Sequence, residues 1–245
     1  MGVDGGAQER TLALFDLDGT LLDGSGLPGA MRATCTALAA FLPGIDADAL
    51  VRANTAAWER LWPEVEDDWM LGGRSGLDVG RDVWRAALEA CGATGDDVVD
   101  RAVLEWDRQE RAALRLFPDA VPTLDGLAAQ GVRIGMVTNG AAAVQRDKLA
   151  GTGILDRFDP LIVSSEVGVK KPDPAIFEVA LAAAGVTPAE AWFVGDHLWH
   201  DAEGALRAGL RAIWLDRRGV ALEPDWPRPD AVVTSLTELL PPAAG

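Results

Sequence analysis

One short strand-like run, "TLALFD" (residues 11–16), is followed by some ninety residues, 24–116, with no strand texture at all. From residue 118 onward strand-like and helix-like segments alternate. That order constrains the fold more than any single motif. The later strands "VRIGMVTNG", "DPLIVSSEVG", "AWFVGD", "RAIWLD" and "AVVTS" are separated by helical stretches such as "AVPTLDGLAAQG", "AAVQRDKLAG", "PAIFEVALAAAG" and "DAEGALRAG". Strands joined through helices lie parallel, and a parallel sheet needs both faces covered. The expectation is an α/β fold, a doubly wound parallel sheet, interrupted just after its first strand by an all-helical insert. The expected boundaries are 1–23 and 117–245 for the sheet domain and 24–116 for the insert.

Inside the insert the apolar residues recur at helical spacing. Over 47–62, Leu50, Val51, Asn54, Ala57, Trp58, Leu61 and Trp62 share one stripe; over 96–117 Val99, Val103, Trp106, Glu110, Ala113 and Leu114, mostly apolar, do the same. With "AMRATCTALAAFL" (30–42) and "GLDVGRDVWRAALEACG" (76–92) this makes a bundle of about four helices, most of its tryptophans in the core. The Gly-rich loop "MLGGRSG" (70–76) is the segment of the insert expected to reach the active site, with Arg74 available for an anionic substrate. "EPDWPRP" (223–229) is expected to be a connecting loop, and residues 1–10 to be frayed.

In an open parallel sheet ligands bind beyond the carboxyl ends of the strands. Asp16 and Asp18 follow the first strand, Thr138 and Asn139 the second, Lys170 and Lys171 the third, and Asp196 and Asp201 the fourth. Each type has a task if a phosphate ester occupies the crevice. A carboxylate attacks phosphorus, a second carboxyl protonates the leaving oxygen, a hydroxyl holds phosphoryl oxygens, and a lysine supplies positive charge. Hard oxygen ligands beside a phosphate suit Mg²⁺. Asp16, Asp18, Asp196 and Asp201 together carry −4, and one lysine with one divalent cation returns +3. A proton on Asp18 brings the empty site to zero, so strict metal dependence is expected. His197 and His200 in "DHLWHD" invite zinc, but the neighbouring strand ends offer oxygen rather than soft ligands.

"DLDGT", "VTNG", "KKPDP" and "GDHLWHD", in that order over residues 16–201, resemble the four motifs of the haloacid dehalogenase superfamily. The resemblance implies a Rossmann-like core with a helical cap, and phosphoryl transfer through an aspartyl phosphate. It implies Asp16 as nucleophile and Asp18 as general acid and base. Mg²⁺ would be held by Asp16, the Asp18 backbone carbonyl and Asp196. Thr138 and Asn139, with Lys171, would bind phosphate, and Asp201 would act behind the metal. The superfamily's dehalogenases lack the second aspartate of the first motif, which this chain has. A phosphomutase of the same superfamily is the nearer alternative, and a non-catalytic phospho-binding module of the receiver type the more distant one.

Charge and composition bound the partners. The chain carries 38 acidic against 22 basic residues, net −16, which argues against a broad nucleic-acid or anionic-membrane surface. Cys35 and Cys91 lack metal-ligand spacing and suit reduced residues of a cytoplasmic protein. The first ten residues lack the apolar stretch of a secretory signal. The expected partner is a small phosphorylated metabolite, and the expected state a monomer or homodimer.

Overall fold

The computed structural model describes residues 11–240. The fraying expected for residues 1–10 lies outside them. Six parallel strands form one sheet in the order β5-β4-β1-β6-β7-β8. β1 (Leu12–Phe15) is central. β4 (Arg133–Thr138) and β5 (Leu161–Val163) extend the sheet on one side; β6 (Ala191–Gly195), β7 (Arg211–Leu215) and β8 (Ala231–Val233) extend it on the other. The order of winding reverses at β1, which opens a crevice at its carboxyl end.

The two faces follow from the pleat, because successive residues of a strand point to opposite sides. Ala13 and Phe15 face one layer with Met136, Val194 and Ile213, under Leu124 and Leu127 of α5 (Ala120–Ala129) and Leu149 of α6 (Ala142–Gly151). Leu12 and Leu14 face the other, with Val137 and Phe193, under Ile176, Phe177 and Leu181 of α8 (Pro174–Ala184). Phe177 meets Phe193 edge-on, ring centres 5.0 Å apart. All four residues of β1 are fully buried, which is why that strand reads as an unbroken apolar run rather than an alternation.

Between β1 and β4 lie α1 (Leu27–Phe41), α2 (Ala47–Leu71), α3 (Gly76–Ala90) and α4 (Asp96–Ala113), which bury a core of their own around Leu38, Leu50, Val83, Trp84, Leu88 and Val99. The starts of α2 and α3 are marked chemically. Asp46 accepts from the amide of Ala49 and Ser75 from that of Asp78, the usual N-terminal caps. α2 runs nine residues beyond the expected 62, through Pro63, to Gly72 in a left-handed C-cap. The expectation of buried tryptophans holds for Trp84, but Trp58 is exposed, stacked on Trp62 at 4.8 Å. A stripe spanning seven positions of α2 is wider than one neighbour covers. The chain leaves and returns through a two-residue antiparallel pair, β2 (Leu22–Asp23) with β3 (Arg115–Leu116), too short for periodicity to register. Residues 223–229 form a loop as expected. No helix among the described residues is long and apolar enough to cross a membrane.

Candidate active site

β1 delivers Asp16 while the backbone is still in sheet register, its amide donating to the Val194 carbonyl at 2.9 Å. The chain then turns sharply. The Leu17 carbonyl accepts from both Leu21 and Leu22, and the Gly19 amide donates to the Leu22 carbonyl. Gly19 has φ +81°, and a Cβ there would sit 2.3 Å from Asp196 Oδ2, so conformation and space both require glycine. Thr20 is fully buried behind the site, and its Oγ1 accepts from the Asp196 amide at 3.0 Å.

Lys171 lies in the loop between α7 (Ser164–Val167) and α8. Its ammonium, 3 % exposed, donates to Asp16 Oδ1 at 2.6 Å and to Asp201 Oδ1 at 2.7 Å. Asn139 holds the same residue by its backbone, accepting from the Lys171 amide at 2.8 Å and donating to its carbonyl at 3.0 Å. Both polar ends of the Asn139 side chain are thereby engaged in placing Lys171. Asp201 lies in a turn of π-helix, Leu198–Glu203, and its second oxygen accepts from the His197 amide at 2.9 Å. The two histidines stack on each other, ring centres 4.0 Å apart, with His197 Nδ1 accepting from the His200 amide. They close the turn. The acidic cluster that forms here among the described residues is Asp16, Asp196 and Asp201, with an oxygen of each within 4.8 Å of the others.

Burial pushes the Asp16 carboxyl up to about 8; Lys171 opposes this, while Asp201 and Asp196 reinforce it. Burial, then Asp201, raises Asp196 as well. Burial pulls the Lys171 ammonium down, but Asp16 and Asp201 together outweigh it and the net shift is upward. Three carboxylates converge and one ammonium pairs with two of them, so the donor set is hard, oxygen-rich and short of positive charge. It fits a divalent cation bound through oxygen. It does not fit a zinc site built on His197 and His200, which stand outside the cluster.

Asp18 occupies a different environment. Strand geometry ends at Phe15, so the i, i+2 rule that would set the two aspartates side by side does not reach Asp18. Its half-exposed carboxylate receives Lys148 on both oxygens, at 2.8 and 3.0 Å, and Gln145 Nε2 on Oδ2 at 2.9 Å. Gln145 also donates to Thr138 Oγ1 at 2.7 Å. Each aspartate of the pair thus has its own cation. The charge count from sequence left out Lys148, which adds a positive charge beside Asp18. Thr138, nearly fully buried, carries its hydroxyl at the end of β4, between Gln145 and the crevice. Sequence reading passed over Gln145 and Lys148 as part of a short helix. A signal was present, since positions i and i+3 share a helix face and this helix begins just past "VTNG".

The helical insert closes over this corner. The Met70 carbonyl accepts from Ser164 Oγ at 2.5 Å, Asp67 pairs with Lys170, and Arg111 reaches Asp147 at 3.1 Å. The Trp69 ring stands so close to Gly140 that a Cβ there would lie 2.9 Å from it. Segment 70–76 packs on the sheet domain, with Gly72 against the Ser165 carbonyl. Arg74 is committed to Asp82 at 2.5 Å.

Comparison with known proteins accords with this geometry. The chain is 40% identical over 159 residues to a phosphoserine phosphatase of Thermus thermophilus, covering 64% of this chain and 62% of that protein. It therefore spans less than two thirds of that relative's length. Among solved structures it resembles a 2-haloacid dehalogenase from Pseudomonas syringae pv. Tomato, with 32% identity, TM-score 0.71, and 94% of this chain and 96% of that one covered. It also resembles a HAD phosphatase from Thermococcus onnurineus, with 31% identity, TM-score 0.62, and 94% and 95% covered. The sequence profile of haloacid dehalogenase-like hydrolases matches residues 11–209, most of the chain. With three strand ends and the loop before α8 converging on one carboxylate-lysine crevice beneath a helical cap, the chain belongs to the haloacid dehalogenase-like hydrolase family.

Proposed function

We propose that the protein is a Mg²⁺-dependent phosphatase that hydrolyses a small phosphomonoester through an aspartyl-phosphate intermediate. The observation that carries this reading is the division between the two aspartates. Asp16 is buried against Lys171, Asp201 and Asp196, whereas Asp18 is half-exposed, outside that cluster and paired with Lys148. Asp16, Asp196 and the Asp18 backbone carbonyl would hold the metal, with Asp201 behind. Bound there, Mg²⁺ would neutralise phosphoryl charge and draw the phosphate toward the carboxylates.

The residues supply the remaining chemistry. An Asp16 oxygen attacks phosphorus, the bond from phosphorus to the ester oxygen breaks, and its electron pair leaves with that oxygen. Asp18 gives the leaving oxygen a proton, then takes one from the water that cleaves the aspartyl phosphate. Lys171 fixes the attacking oxygen and balances charge. The Thr138 hydroxyl accepts from Gln145, and its own long 3.5 Å bond to the Asn139 carbonyl would give way to a phosphoryl oxygen. The contacts from Trp69, Met70 and Asp67 to the sheet domain support a cap, residues 24–116, that excludes water from the first step.

Release of phosphate from p-nitrophenyl phosphate with Mg²⁺, its loss in EDTA, and its loss in Asp16→Asn are the expected results. An active Asp16→Asn protein sinks the nucleophile assignment. The resemblance to a 2-haloacid dehalogenase favours a second reading, halide displacement by Asp16. A halide leaves without a proton, so that chemistry has no use for Asp18. Chloride release from 2-chloropropionate, unaffected by EDTA and by Asp18→Asn, would establish it over the phosphatase.

A further inference from the structure

We infer that Gln145 is a positioning residue for the leaving-group acid, locking the Asp18 carboxyl and the Thr138 hydroxyl into one frame. The inference rests on the phosphatase reading and deepens it. Gln145 is fully buried. Its Nε2 faces three acceptors with two protons: Thr138 Oγ1 at 2.7 Å, Asp18 Oδ2 at 2.9 Å and the Asn139 carbonyl at 3.2 Å. The opposite end of the amide, Oε1, is buried without a partner. Turning the amide over would aim Oε1 at the Asp18 carboxylate, so the orientation follows from the network itself. A buried acceptor left unmet is unfavourable, and a nonpolar side chain of the same size would avoid it. What the amide contributes is therefore its donor side, one NH₂ joining the residue that would hold the phosphoryl group to the residue that would protonate the departing oxygen.

The site around it is built to keep that donor in place. Gly140 gives it room, since a Cβ there would lie 3.1 Å from the Gln145 amide carbon. Lys148, one turn along α6, holds both Asp18 oxygens. In the first step Asp16 forms its bond to phosphorus while the ester oxygen takes the breaking bond's electrons and the Asp18 proton. Misplacing Asp18 penalises that step in proportion to how much the leaving oxygen needs a proton. An alkoxide needs it; a dinitrophenolate hardly does.

The test compares kcat/KM, which reports the step up to phosphoryl transfer, for glycerol 1-phosphate and 2,4-dinitrophenyl phosphate. Gln145→Leu removes the donors and the unmet acceptor together; Gln145→Met does so with a more adaptable side chain, in case the first variant folds poorly. Both should lose about 10- to 100-fold on glycerol 1-phosphate and at least about tenfold less on the dinitrophenyl ester, a fraction of what a general acid supplies. Asp18→Asn should show the same split, larger. Equal losses on the two substrates, or no loss on either, would overturn the inference. If Asp18→Asn splits the substrates and Gln145→Leu and Gln145→Met do not, the inference alone fails. If Asp16→Asn stays active, the phosphatase reading fails first.

Discussion

Lys171 is the charge on which the buried part of the site depends, and replacing it with methionine isolates its contribution. The side chains of Lys171, Asp16 and Asp201 are 3, 10 and 2 % exposed, so water screens none of them well. Methionine fills much of the same volume and leaves two carboxylates facing each other without a cation. Removing one partner of a buried ion pair costs about 3–5 kcal/mol, and one ammonium serving two carboxylates puts this case toward the upper end. For a chain of 245 residues each kcal/mol moves Tm by about 2–4 °C, so the melting temperature should fall by about 6–20 °C.

The pH dependence gives the argument its sharper edge. Burial already holds the Asp16 carboxyl at about 8 against an ordinary 3.8, with Lys171 pulling the other way, and losing Lys171 drives it further up. A carboxyl that keeps its proton more firmly when folded makes the native state bind more protons than the unfolded chain. Stability then falls as pH rises from the unfolded value toward the folded one. From pH 5 to pH 8 both folded proteins keep the Asp16 proton and the deficit of Lys171→Met should stay level, whereas from pH 8 to about pH 10 the parent's Asp16 ionises first and the deficit should grow. Thermal and urea unfolding of both proteins in EDTA, across that whole range, measures it. A variant within about 1 kcal/mol of the parent at pH 8, or a deficit that does not grow above pH 8, would refute the reasoning.

Divalent cation binding should displace the Asp16 proton below pH 8, so affinity should weaken by up to about tenfold per pH unit on the acid side. Calorimetry at pH 6.5 in buffers of different ionisation heat should find about one proton released per cation; none released would contradict the assignment of Asp16 to the metal. Gly195→Ala sets a Cβ 2.2 Å from Asp201 Oδ2 and should destabilise by about 1–3 kcal/mol in urea melts while lowering activity, because Asp201 must leave Lys171 or the His197 amide. Gly80→Ala, in the middle of α3 with open space at the new Cβ, should instead stabilise by about 0.5–1 kcal/mol in the same melts.

Much of this was legible before any coordinates, because the properties concerned are local. The alternation of strand and helix after residue 118 required a parallel sheet, and a parallel sheet places its strand ends, hence Asp16, Thr138 and Asp196, around one crevice. Helical periodicity made the segment between β1 and β4 a bundle. What depended on distance in space was not legible. Trp58 shares a stripe with buried residues yet lies open, because the neighbouring helices cover only part of that face. Arg74 looked free in sequence and is paired with Asp82 eight residues on. Asn139 read as a phosphate ligand, and its side chain clasps the backbone of Lys171.

The two aspartates of "DLDGT" show where that division falls. Their order and identity are in the sequence, and so is the glycine that lets the chain turn after them. Their charge states are not, because a carboxylate answers to whichever cations and donors the fold brings near it. Tertiary structure sent Asp16 inward to Lys171 over 155 positions of sequence and Asp18 outward to Lys148 over 130. Separations of that length carry no periodic signal, and only the closing of the sheet and the docking of α6 on its face could set them.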